Sequence, residues 1–176
     1  MLLTRQQRFI LDTVGRLGCI RYDQLAILLR KAFLLEDRAR AERIARAAAR
    51  QLCRANLRIR EAGNVLHLPR QPPDEQMLRA IDVMLLLTEG APSGYQRGTV
   101  PVLLRFAVGE GKVRTFSVLQ QGGGCPLPPP DSGERLIILA NDPQELQELP
   151  LPNRQFFAFW DSDGKLQFLS KEKSSN

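Results

Sequence analysis

The chain has 176 residues, 43% of them hydrophobic and 25% charged, enough to bury a sizeable core in one domain or two small ones. No apolar run is longer than Val83 to Leu87, far short of the ~20 residues a membrane span needs, and Met1-Leu-Leu-Thr-Arg5 lacks the basic-then-apolar order of a signal peptide. A cytoplasmic protein with no membrane partner is therefore expected, and its positive charge lies at one end: residues 1–70 hold 15 of the 25 Lys+Arg and 6 of the 19 Asp+Glu, a net +9 that leaves −3 for the rest.

The first predicted element is a helix that opens on Thr4-Arg-Gln-Gln7, a capping-box pattern. Phe9, Ile10, Thr13, Val14 and Leu17 then recur at helical spacing until Gly18 supplies a stop. Cys19-Ile-Arg21 reads as a brief extended link, and a second helix starts near Tyr22 or Asp23, burying Leu25, Leu28 and Leu29.

The segment from Glu36 to Ala55 is the most informative in the chain. At ~100° per residue, Arg43, Arg46, Arg50 and Arg54 project within a narrow arc, while Ala41, Ile44, Ala45, Ala48, Leu52 and Ala55 gather on nearly the opposite face. One face suits a core and the other suits anions. Leu57-Arg-Ile-Arg-Glu61, a turn at Ala62-Gly-Asn64 and Val65-Leu-His-Leu68 follow as a two-stranded ribbon, with Leu57 and Ile59 on one face and Arg58 and Arg60 on the other. Helix, short strand, helix, long helix and hairpin within about 70 residues is the winged-helix plan. It predicts double-stranded DNA as partner, with Arg40, Arg43, Arg46, Arg50, Arg54, Arg58 and Arg60 as the contacting residues. Arginine suits that task because its planar fork pairs bidentately with phosphate or guanine.

Pro69-Arg-Gln-Pro-Pro-Asp74 interrupts regular structure and marks a linker over 70–74. Asp74 then caps a helix running to about Leu87, whose Met77, Leu78, Ile81, Met84 and Leu85 form one stripe, a core face or a dimer seam. Val102 to Val108 and Val113 to Leu119 flank Gly109-Glu-Gly-Lys112 as a hairpin, and Gln121 to Pro130 reads as a flexible excursion. Leu136 to Ala140 has the continuous apolar character of a central strand. Asp142-Pro-Gln-Glu145 predicts the start of a short helix that Pro150 ends. Phe156 to Trp160 and Lys165 to Leu169 form a last hairpin across Asp161-Ser-Asp-Gly164. The fold class expected is α+β: a winged helix-turn-helix over 1–69, an α/β domain on a mixed sheet over 75–170, and a disordered tail over 171–176.

No catalytic set assembles from these residues. The element order resembles a restriction-endonuclease-like core, whose (Asp/Glu)-x-Lys motif holds a metal ion, and the literal triplet is Glu110-Gly-Lys112. That triplet falls at a hairpin tip, and the flanking strands supply none of the carboxylates a Mg2+ site needs. Gln121-Gly-Gly-Gly124 lacks the Lys-Ser/Thr of a phosphate loop, and Pro126 with Pro128 to Pro130 prevents a helix behind it. Asp161 to Gly164 lacks the distal glutamate of a calcium loop. Three scattered cysteines, Cys19, Cys53 and Cys125, with one histidine, His67, make neither a zinc site nor a disulfide framework, and Cys19 and Cys53 read as small core residues. His67 has no Ser, Cys or second acid near it in sequence and reads as a packing or phosphate-contacting residue.

Thr4-Arg-Gln-Gln-Arg-Phe-Ile10, Gly18-Cys-Ile-Arg-Tyr-Asp-Gln-Leu25, Arg50-Gln-Leu-Cys53, Val65-Leu-His-Leu-Pro69 and Leu78-Arg-Ala-Ile-Asp-Val-Met84 resemble uncharacterised winged-helix proteins of gut Firmicutes mobile elements. They are similar to the replication-relaxation group, which joins a winged helix to a degenerate nuclease-like α/β domain. The resemblance implies a fold and a DNA-linked context, and transfers no active site. The function expected is a non-enzymatic DNA-binding protein, without cofactor or metal, that regulates transcription, replication or transfer of a plasmid or mobile element. Its second domain is expected to form a homodimer or bind a protein partner. An adaptor of a replication or mobilisation complex is the alternative, and a divergent metal-dependent nuclease the third.

Overall fold

A computed structural model describes residues 2–120, 134–140 and 155–170 of the chain. Helix α1 (Arg5–Leu17) starts on the expected capping box: the Gln7 amide donates to Thr4 Oγ1 at 3.2 Å and the Thr4 amide donates to Gln7 Oε1 at 2.9 Å. It ends at Gly18, whose φ of 84° a residue with a Cβ rarely adopts. Strand β1 (Cys19–Arg21) leads into α2 (Tyr22–Ala32), and α3 (Arg38–Arg54) follows with Asp37 accepting from the Ala39 and Arg40 amides at 2.9 and 3.3 Å. The arginine helix is thus slightly shorter than the sequence suggests, because Asp37 is spent as its cap.

The hairpin after α3 is also shorter than expected. Strand β2 spans only Arg60–Ala62 and pairs with β3 (Val65–His67) around a two-residue turn, Gly63-Asn64, with Gly63 at a φ of 58°. The reason lies upstream: Asn56 and Arg58 take φ values of 57° and 51°, which breaks the extended run that Leu57 to Glu61 promised. Ile59 is buried all the same, and Arg58 and Arg60 are exposed. Strand β1 pairs with β3 on its other side, giving a small sheet ordered β1-β3-β2.

Helix α4 (Glu75–Leu87) begins where Asp74 accepts from the Met77 amide at 3.2 Å. Ala80 and Val83 are buried along with the anticipated stripe of Met77, Leu78, Ile81, Met84 and Leu85. A helix with so wide an apolar face packs against partners on two sides. One side packs on α2 and β1, the other on a six-stranded mixed sheet ordered β4-β5-β6-β7-β8-β9: β4 (Gly94–Arg97), β5 (Val102–Val108), β6 (Arg114–Gln120), β7 (Arg135–Leu139), β8 (Gln155–Trp160) and β9 (Leu166–Ser170). The pairings are antiparallel except β6 with β7 and β7 with β8. Strand β4 has no periodicity to announce it. It is fixed by long-range bonds: Tyr95 Oη and Thr13 Oγ1 of α1 lie 2.9 Å apart, and Arg97 is 3.0 Å from Asp74. β7 runs through the sheet as a buried strand, in keeping with its apolar sequence. Among the described residues no helix is long and apolar enough to cross a membrane. The excursion at 121–130, the helix opening at Asp142, Cys125 and the tail lie outside the described residues.

In the chain, the Pro-rich segment separates α1 to β3 from α4 and the six-stranded sheet; in space, one apolar cluster crosses it, from Ile10 and Leu25 through Ile81 to Phe106 and Ile137. Gln24 of α2 is buried within this junction with both ends of its amide used. It accepts from the Arg21 amide at 3.1 Å and donates to the Leu78 carbonyl and to Asp82 Oδ1, each at 2.7 Å. Replacing it by Leu leaves those partners unsatisfied, so Gln24→Leu should cost about 2–3 kcal/mol. Because Trp160 of β8 packs against the same cluster, its fluorescence and the helical circular dichroism should lose stability together in a urea titration. A Trp160 transition that stayed at the wild-type midpoint while the helical signal shifted would show two independent halves.

Candidate nucleic-acid interface

Helix α3 is built for one-sided burial. Ala41, Ala45, Ala48, Ala49 and Leu52 are buried, and the helix packs on α2 and α1. Most of these residues are alanines, which bury little area each but let the helices approach closely. On the outer side Arg40, Arg43, Arg50 and Arg54 are exposed, and Arg58 and Arg60 continue the exposed positions into the hairpin. Among the described residues none of these six forms an ion pair. Arg60 donates to the neighbouring Ile59 carbonyl, at 3.2 Å. Six guanidinium groups gathered on one helix and the hairpin after it, without acidic partners among the described residues, make a surface that attracts anions.

The seventh, Arg46, has other work. Its guanidinium lies 4.3 Å over the Tyr22 ring, donates to Glu42 Oε1 through Nε at 3.0 Å and Nη2 at 2.8 Å, and donates to Asn64 Oδ1 at 2.9 Å. Tyr22 is itself buried; its hydroxyl donates to Glu61 Oε1 at 2.9 Å and its amide donates to the Asn64 carbonyl at 3.1 Å. Together Tyr22 and Arg46 clasp the start of α2, the middle of α3 and both ends of the hairpin turn. Arg46 thereby stands apart from the arc in which its helical position places it, and Tyr22, which the sequence marks only as the start of a helix, becomes the residue that seats the hairpin beside α3. No signal at helical or strand period points to it, because its partners lie 24, 39 and 42 positions away in the chain.

Other polar groups considered from the sequence serve the fold. Arg21 is 2.7 Å from Asp82 and 3.2 Å from Asp23, which removes it from the cationic surface. His67 directs Nδ1 at the Leu68 and Gln71 carbonyls, 2.9 and 3.1 Å away, so it closes the chain after β3. Cys19 is buried and Cys53 half-buried, both as free thiols. Glu110 and Lys112 stand exposed between β5 and β6. Asp161 accepts from the Asp163 and Lys165 amides at 3.0 and 2.8 Å and from Gln167 Nε2 at 2.9 Å; the Gln167 bond foremost, with these amides, holds its carboxyl below the usual range and shapes the β8–β9 turn. Among the described residues no group of three or more His, Cys, Asp or Glu is placed to hold a metal ion. In comparison with known proteins, no family model, no curated sequence and no solved structure matches this chain.

The clasp separates Arg46 from its neighbours experimentally. Arg46→Ala removes a cation–π contact and three hydrogen bonds, and should lower stability by about 1–2 kcal/mol, whereas Arg43→Ala and Arg50→Ala should stay within about 0.5 kcal/mol of the parent in urea unfolding.

Both tyrosines have hydroxyl pKa values above the ordinary value. Burial is the main cause for each; beside Tyr22, Glu61 adds to it. Because the folded values lie above the unfolded one, this stabilisation is fully present below about pH 10 and is lost as pH rises through the folded values. The tyrosinate absorbance of Tyr22, read as the difference between the parent and Tyr22→Phe, should therefore rise only with unfolding, above pH 10; a Tyr22 that titrates smoothly in the folded protein near pH 10 would contradict its burial.

Proposed function

We propose that residues 1–69 form a winged helix-turn-helix that binds double-stranded DNA, and that the protein acts without catalysis, regulating transcription, replication or transfer of a plasmid or mobile element. The observation that carries this reading is the outer face of α3, with six exposed arginines on the helix and hairpin that have no acidic partner among the described residues. The order α1, β1, α2, α3, β2, β3 and the sheet order β1-β3-β2 are those of a winged helix and support it. α3 enters the major groove, where Arg43, Arg50 and Arg54 reach base edges or phosphates, and Arg40, Arg58 and Arg60 contact the flanking backbone. Arg46 does not touch DNA in this reading; with Tyr22 it positions the hairpin. α4 joins the six-stranded sheet to α2 and β1, leaving α3, whose packing partners are α2 and α1, free on its outer side. That second half is where a second copy or a protein partner docks in this reading, and light scattering of the full chain tests for the dimer.

A duplex selected from random sequence by the purified protein supplies the probe. Changing both Arg43 and Arg50 to Ala should abolish its binding in fluorescence anisotropy while the unfolding midpoint holds. Changing both Arg58 and Arg60 to Ala should weaken selected and unrelated duplexes alike and reduce the salt slope by about two, one for each phosphate released. Failure to enrich any duplex, or undiminished binding by the Arg43 and Arg50 double variant, would remove α3 as a DNA surface.

A further inference from the structure

The six-stranded sheet carries a second feature with chemical character, at the end of α4. Thr88 closes that helix by donating its hydroxyl to the Met84 carbonyl at 2.8 Å. Glu89 and Gly90, at φ values of 50° and 77°, then turn the chain toward α2, where Gly90 lies so close to Ile27 that a Cβ would sit 2.4 Å from its side chain. The helix therefore stops short of covering the sheet. Beyond Leu87 a cleft of about 390 Å3 opens over the face formed by Val108, Phe116, Ile137, Phe156 and Phe168. Strand register explains that composition: Phe116 lies beside Arg135 across β6 and β7, Ile137 beside Phe156 across β7 and β8, and alternate residues on each strand share a face.

Two cations line this apolar cleft. Arg114 pairs with Val108 across β5 and β6, and Arg135 has its guanidinium 5.9 Å from both the Phe116 and the Phe156 ring centres. Neither arginine has an acidic partner among the described residues, in contrast to Arg105 on the same sheet, which lies 3.5 Å from Glu134. An apolar floor with two guanidinium groups that have no acidic partner among the described residues fits one kind of molecule, with an apolar body to cover the rings and a planar anionic head for the arginine forks. A membrane surface or a nucleic acid would need a broad cationic area, and this site is a small cleft with its charge beside aromatic rings. Its volume is at the lower end of the ~300–1,000 Å3 of small-molecule sites.

We propose that this cleft binds a small monocarboxylate with an apolar body, its carboxylate held by Arg114 and Arg135 and its body lying on Phe116, Phe156 and Phe168. The aromatic contacts orient Arg135 before the ligand arrives, so little side-chain freedom is lost on binding. The site is independent of the arginine surface on α3: it stands on other residues, and loss of either leaves the other intact.

Octanoate is the probe, and octanol, with the same chain and no charge, is its control. Calorimetry should show octanoate binding at least about tenfold more tightly than octanol, and methyl NMR shifts should be confined to Leu87, Val108 and Ile137 with their neighbours. Arg114→Gln, at an exposed strand position, should weaken octanoate about tenfold and leave octanol unchanged, and Arg135→Gln should do the same. Leu87→Trp, which fills the cleft from the already exposed end of α4, should block both ligands even if Arg135→Gln does not fold. Equal affinities for octanoate and octanol, an unchanged affinity in Arg114→Gln, shifts outside the cleft, or no binding at millimolar octanoate would each overturn the assignment.

Discussion

Two sides of helix α4 are buried, and this double burial is the constraint from which the rest of the arrangement follows. Met77, Ala80, Ile81, Val83 and Met84 are buried, so the helix needs apolar partners on two sides at once. The three-helix part supplies one through α2 and β1, and the sheet supplies the other through β5 and β6. Neither part alone covers the helix, which is why the core is continuous across a segment as rich in proline as Pro69 to Pro73. The polar bonds at this junction, from Gln24 to Leu78 and Asp82 and from Arg21 to Asp82, set the register of that packing, since a shift along α4 would leave several buried groups unpaired.

The arginine face of α3 is the energetic counterweight. Like charges crowded on one helix repel one another and oppose compaction, and here they are tolerated because the inner face is locked by Leu52 and a row of alanines against two helices. One arginine is withdrawn from the crowd. Glu42 neutralises Arg46 and the Tyr22 ring receives it, so the charge nearest the hairpin becomes an attachment point for it. For the DNA reading this division matters: a helix packed firmly on its inner face loses little backbone freedom when its outer face meets phosphate. Any anion that engages the face also relieves the repulsion, so binding and stability rise together.

Much of the local structure was legible in the residues themselves. Thr4 and Gln7, and Asp74, mark helix starts, Gly18 marks a stop, and the strands β5, β7 and β8 follow their apolar runs, because capping bonds and periodic burial involve residues only a few positions apart. The exposed arginines at 43, 50 and 54 were equally readable, since the helical period alone puts them opposite Ala41, Ala45 and Leu52. Where the reading stopped short, the missing information was long-range. Leu57 to Ile59 has strand-like alternation, yet Asn56 and Arg58 adopt left-handed backbone and the paired strand begins only at Arg60.

By itself, then, the sequence determined that the chain is α+β, where α1, α2 and α4 begin, and that one helix carries a cationic face. Tertiary structure alone decided that α4 is buried on both sides, that the unpatterned Gly94 to Arg97 is a strand, and that Arg46 belongs to Tyr22 and Asn64. It also decided that Arg114 and Arg135, unremarkable in the chain, converge on one aromatic cleft. The physical reason is the same in each case. Caps and amphipathic periods are set by neighbours within a turn or two, whereas a second packing face, an edge strand without alternation and a charge shared across three elements depend on chain segments tens of residues apart, whose approach is fixed only when the whole core closes.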